Sequence, residues 1–177
     1  MSATIYVMTA ANLFCGDHDP SNSKHLTLAE LKLPDLQGIY ADHHAGGAIA
    51  AIEVELGVQK LESTFKLNGI DPALMTQFGL GSKSKNVFTA YGVVVDKRTG
   101  RNIESKAIIE ARLGRVAPDA FTRGELMGHE YALNEITHYE LWFDGSEKIA
   151  WDFFENLWRV DGVDQNADAN SIMRIAG

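Results

Sequence analysis

A single cysteine in 177 residues excludes an internal disulfide, so packing, assembly or both must hold this chain together. That residue, Cys15, reads as a small, half-buried side chain. Proline is also scarce, at four residues. With 45% hydrophobic and 23% charged residues, this places the chain among ordinary globular proteins rather than fibrous or disordered ones. The length fits one domain spanning residues 1–177. Basic residues are outnumbered, 16 Lys and Arg against 24 Asp and Glu, for a formal net charge of −8. No cluster of them exists to grip phosphates, although an acidic wall lets a polyanion pass without sticking. No apolar run approaches the ~20 residues that cross a bilayer, and the N-terminus lacks a secretory pattern. The expectation is a chain made and kept in a cytoplasm, without membrane insertion. A phosphate-cradling Gly-rich loop is missing, as is a nucleophile elbow, so no cofactor is expected.

What the sequence does have is alternation of period 2 between turn residues, the mark of strands. Ile52, Val54 and Leu56 share one face and Glu53 and Glu55 the other, which reads as a half-buried strand with a bulge or bend at Gly57. A strand within 58–67 should follow. Asp71 can cap a helix that Pro72 opens and Gly79 ends, with Leu74, Met75 and Phe78 on its packed face. Residues 87–95 and 103–116 form a long hairpin in which Ala107, Ile109, Ala111 and Leu113 alternate with Ile108, Glu110 and Arg112. After a polar loop, 118–128, a strand ends at Phe143; Asp144-Gly145 turns it into another over 147–153, and a short strand spans 157–160. The tail, 163–176, reads as a helix with Ala167, Ile172, Met173 and Ile175 on its apolar side. The sum is a mainly β fold, an antiparallel sandwich or partly open barrel with a short flanking helix and a C-terminal helix. Strands this long leave edges that need partners.

Three features invite chemistry. Asp17-His18-Asp19 and Asp42-His43-His44 combine carboxylates and imidazoles as metal sites do, and the second spells the signature of a phosphoesterase family. That family's parallel α/β setting and its further ligands are missing here. The readings left open are a solvated loop, an adventitious metal site and a metal-dependent hydrolase using Asp42, His43 and His44. Trp142, Trp151 and Trp158 read as core or contact aromatics, with a small-ligand β-barrel as the rival. Gly46-Gly47 reads as a flexible or tight loop.

Taken in order, the segments resemble the major tail tube protein of contractile-tailed phages, a family that includes the tube subunits of R-type pyocins. Asn12-Leu13-Phe14 with Gly16, and 26–34 with its Leu-Pro ending, resemble the family's first strands. Tyr40 with Gly46-Gly47, residues 52–57 and Leu61-Glu62-Ser63-Thr64-Phe65 are similar to its loop, acidic strand and following strand. The capped segment 68–80, the hairpin from Glu130-Tyr131 through Asp144-Gly145, and 159–165 continue the match. The first ten residues, 17–24, and the polar Asn166, Asp168 and Asn170 of the tail depart from it.

The resemblance implies a structural, non-enzymatic subunit that forms sixfold rings, with strands of all six copies closing one inner β-barrel. Stacked rings would make a hollow tube inside a contractile sheath, gauged by a tape-measure protein, joined to a baseplate hub and a tail terminator, and traversed by DNA without specific binding. The expected place is the tail of a virion assembled in the host cytoplasm, with a genome-free pyocin-like or secretion device as the alternative. Lumen-lining candidates are Glu53 and Glu55, then Glu110 and Glu140, against the alternative of a solvated outer face. The loop 36–49, with Tyr40, Asp42, His43, His44, Gly46 and Gly47, is the candidate arm toward a neighbouring subunit.

Overall fold

The computed structural model describes residues 3–80 and 85–175. Three long strands form its spine: β6 (Lys85–Asp96), β7 (Asn102–Pro118) and β8 (Gly128–Phe143). Around them lie β1 (Tyr6–Cys15), β2 (Leu28–Lys32), β3 (Gly38–His43), β4 (Ile52–Val58), β5 (Ser63–Asn68), β9 (Ser146–Asp152), β10 (Leu157–Val160) and β11 (Val163–Asp164). The helices are α1 (Pro72–Met75) and α2 (Ala167–Met173).

Nine strands belong to one antiparallel sheet, ordered β1-β6-β7-β8-β9-β10-β11, with β5 also paired to β8 and β2 to β5. The sheet folds over because β8 serves both layers. Residues 128–133 of β8 pair with β5, while residues 138–143 pair with β9. The β7–β8 register shifts at Glu110/Arg112, between these halves, and again at Leu113/Arg115, at the end of the β5-paired half, and Glu135 adopts a positive φ of 51°. Bulges bend a sheet where they occur. Arg112 Nε donates to Glu135 Oε2 at 2.9 Å across the bend. The result is a sandwich that does not close into a barrel.

The alternation in β7 is as expected, with Ala107, Ile109, Ala111 and Leu113 buried. They meet Leu13, Phe88 and Ala90 from β1 and β6, and Phe65, Leu67, Tyr131 and Leu133 from the other layer. Phe65 stacks on Tyr131 at 5.0 Å and reaches Phe88 at 6.4 Å between centroids, which joins the two layers. Cys15 is fully buried in this core rather than half-buried, and burial pushes its thiol up to about 12. Gly128 is required for a spatial reason: a Cβ there would lie 2.7 Å from the Leu67 carbonyl oxygen.

Local signals set the ends of the elements. Asp144 and Gly145, with φ of 53° and 72°, make the tight turn between β8 and β9, and Asp161 and Gly162 (48° and 82°) repeat it between β10 and β11. Asp71 caps α1, accepting from Leu74 N at 2.9 Å. The helix is shorter than the expected 71–79: it stops at Met75, Leu74 alone is buried, and Met75 and Phe78 are exposed. The tail differs as well. Residues 163–164 are strand, α2 is seven residues long, its Ile172 and Met173 and the following Ile175 face solvent, and Ala176 lies outside the described residues. What seats α2 is polar. Asn156 Nδ2 donates to Asn170 Oδ1 at 2.6 Å, and the Asn166 and Asn170 amides donate to the Asn156 carbonyl at 2.8 and 3.1 Å.

Candidate assembly interface

β3 and β4 pair only with each other and stand away from the sandwich as an arm. Every residue of β4 is exposed, including Ile52 at 61%, Val54 at 40% and Leu56 at 64%. The expectation that these three face the core is therefore wrong, since alternation identifies two faces without saying what covers either. Likewise the segment 36–49 is not wholly a loop: residues 38–43 are strand, and the tip, with His44, Gly46 and Gly47, is a turn in which the Ala48 amide donates to the Ala45 carbonyl at 3.0 Å. The bulge expected at Gly57 is present, with a register shift opposite Ile39/Tyr40 and a φ of 126°.

Cross-strand partners share a face. His43 lies opposite Ile52 and Ala41 opposite Val54, which gives a mostly apolar side; Asp42 lies opposite Glu53 and Tyr40 opposite Glu55, which gives an acidic one. Directly opposed carboxylates destabilise a strand pair, and an isolated two-stranded ribbon is marginal in water.

A second surface is the free side of β1. Its ten residues, Tyr-Val-Met-Thr-Ala-Ala-Asn-Leu-Phe-Cys, carry no charge and no proline, and Tyr6, Val7 and Met8 are exposed. On this side the described residues supply only a single bridge, Phe14 to Ser23. Other borders are guarded, β2 by Glu30 and Lys32, and β11 by being two residues long. Near the root of the arm, Trp151 and Trp158 sit opposite each other across β9 and β10. With Val58, Leu61, Ile136 and Phe153 they line an open groove of about 440 Å³. Trp142 lies elsewhere and donates to Glu140 at 2.7 Å. The described hollows are open grooves rather than a closed ligand cavity.

The four acidic candidates fall on two surfaces. Glu53 and Glu55 are on the arm, whereas Glu110 and Glu140 are half-buried on the outer face of the large sheet. There a row runs in register across β7, β8 and β9: Glu110, His138, Asp152. His138 was not singled out from sequence, because its carboxylate neighbours at 140 and 152 signal nothing until the hairpin closes. The two histidine motifs do not assemble metal sites. Asp42 and His43 occupy opposite faces of β3; His18 Nε2 contacts the Tyr91 hydroxyl at 2.9 Å; and Asp19 accepts from Ser21 N. Among the described residues no group of three or more His, Cys, Asp or Glu side chains could hold a metal ion.

One charged pair lies inside. Lys24 is 6% exposed, and its Nζ sits 2.7 Å from Asp71 Oδ2, tying the segment after β1 to the cap of α1. Burial alone would raise the Asp71 carboxyl, but the bonds from Lys24 and the Leu74 amide outweigh it and hold the group below its usual value.

Residues 8–173 match the family model described as phage tail tube protein FII. Solved structures with a similar fold include a chain of the sheath–tube complex of PVC, an extracellular contractile injection system, in its extended state. Its TM-score is 0.54 at 10% identity, covering 75% of this chain and 88% of that one. A chain of the anti-feeding prophage baseplate gives 0.53 at 13% identity, covering 80% and 97%. A chain of the PVC sheath/tube terminator gives 0.52 at 11%, covering 70% and 87%. No curated protein sequence matches.

Proposed function

The chain belongs to the phage tail tube protein FII family of structural tube subunits, and from that premise we propose that six copies close into a ring and that rings stack into a hollow tube. The carrying observation is the arm, an exposed two-stranded ribbon with an apolar side that no described residue covers. A neighbouring copy, in the ring or in the next one, supplies that cover. The uncharged edge of β1 gives a second place for strands of adjacent copies to join, as a continuous inner barrel requires.

In this reading the tube lies inside a contractile sheath, meets a tape-measure protein, a baseplate hub and a terminator, and is built in the host cytoplasm as part of the particle's tail. The cargo is DNA, which slides without specific binding. With the apolar side of the arm docked, Asp42, Glu53 and Glu55 face water, and sixfold repetition turns each into a ring of carboxylates that repels phosphates. Glu140 is a weaker lumen candidate, because His138 and Trp142 already occupy its oxygens. The second reading is a genome-free or secretion device, with which the fold shared with a chain of an extracellular contractile injection system is compatible. Negative-stain microscopy of the purified protein tests the proposal. Rings or tubes are expected, and a folded monomer at every concentration refutes it.

A further inference from the structure

His138 stands half-buried on β8 with both ring nitrogens engaged by carboxylates. Nδ1 is 2.9 Å from Asp152 Oδ2 on β9, and Nε2 is 2.9 Å from Glu140 Oε1 two residues along its own strand. A neutral imidazole has one N–H and one lone pair, so one of these contacts would set lone pair against lone pair. Both contacts are favourable only when both nitrogens carry protons.

Asp152 has further work. The same side chain accepts, through Oδ1, from the amides of Phe154 and Glu155 at 2.8 and 3.0 Å, forming the turn at 153–156 between β9 and β10. That turn presents Phe153 and Phe154, both well exposed, their rings edge to face at 5.4 Å. The carboxylate that shapes the turn is thus oriented by the histidine.

We propose that His138 is a pH-sensitive latch: as an imidazolium clamped between Glu140 and Asp152 it fixes the 153–156 turn and its two exposed aromatic rings, and losing its proton loosens them. The charged groups around it are Glu140 on its own strand, Asp152 on β9, Glu110 opposite on β7, Glu155 in the turn, and Lys85 of β6. Lys85 reaches Thr137 at 3.4 Å and Glu135 at 3.5 Å. The cations nearby are engaged by other carboxylates, Lys85 and Arg112 by Glu135 and Arg159 by Glu147, whereas Asp152 and Glu140 bond the ring directly, so the surroundings favour the protonated ring. Burial by itself would lower the pKa of His138, but the bonds to Asp152 and Glu140 outweigh burial and raise it above the usual imidazole value. For a raised pKa the sign is definite. The stabilisation is complete below the unfolded value of about 6.5 and disappears as pH rises through the folded value. Loosening comes on the alkaline side.

The test uses the full-length protein in its native assembly state, with imidazole nitrogen NMR and amide exchange followed through the same pH series. His138 should titrate with a midpoint above the unfolded value of about 6.5, with both nitrogens protonated below it, and protection of the Phe154 and Glu155 amides should fall about tenfold across the titration, after correction for intrinsic exchange. Glu140→Gln, which leaves the turn untouched, should move the midpoint down, and His138→Gln should abolish the pH dependence. A midpoint at or below about 6.5, or amide protection indifferent to the titration, overturns the latch. The wild-type titration decides even if a variant fails to fold.

Discussion

Ile52→Thr/Val54→Thr tests whether the apolar side of the arm is buried by a neighbouring copy. Threonine keeps strand propensity, so the ribbon itself should persist. Complete burial of an aliphatic side chain is worth about 2.5 kcal/mol; Ile52 and Val54 have 61% and 40% of their surface still to bury, or about 1.5 and about 1 kcal/mol. The pair should cost about 2.5 kcal/mol per subunit added, and at 1.4 kcal/mol per factor of ten the critical concentration for assembly should rise roughly sixty-fold. Sedimentation and light scattering measure it. Neither side chain touches the core, so circular dichroism and the melting temperature of the unassembled subunit should not change. Glu53→Gln on the opposite side, which relieves the repulsion with Asp42, should assemble at least as well as the native chain. Assembly of the double variant at the native concentration would show that this side stays in solvent.

Lys24→Met should destabilise the subunit by about 3 kcal/mol, because it strands Asp71 without its buried partner, and Lys24→Met/Asp71→Asn should recover much of that loss; additive effects in urea unfolding would refute the coupling. Cys15 should resist thiol reagents in the folded protein at pH 8 and react fully once the chain is unfolded, since the thiol is buried and its pKa is pushed up to about 12; rapid labelling of folded protein would contradict its position in the core.

The long antiparallel spine was legible because the alternation in β7 separates a buried from a half-buried side, and because Asp144-Gly145 favours the tight turn that closes the β8–β9 hairpin. The capping of α1 was legible for the same local reason, at Asp71 and Pro72. Its length was not. Met75 and Phe78 have helical spacing but no surface to meet, so the helix ends early. The arm shows the same limit in a strand: Ile52, Val54 and Leu56 alternate as core residues do, yet all three are exposed. Asn166 and Asn170 looked out of place in a tail helix, yet they form the clasp on Asn156 that seats it. Lys24 gave no signal, because a lysine is read as surface until a partner closes over it. The His138 row depended on strand register, which sequence does not fix.

The bare border of β1 has a kinetic consequence. Ten uncharged residues recognise a strand by its backbone, and backbone pairing has little power to reject a wrong mate. When unlike borders join, whether the outcome is a closed cycle or an endless fibre depends only on the angle of each joint. The strand supplies adhesion and no angle. Orientation must come from a contact with side-chain character, and the arm, with one oily and one acidic side, has it. A subunit stripped of its arm would therefore be expected to clump rather than stay dispersed, and a growing end that captures the arm first would act as template for every joint that follows.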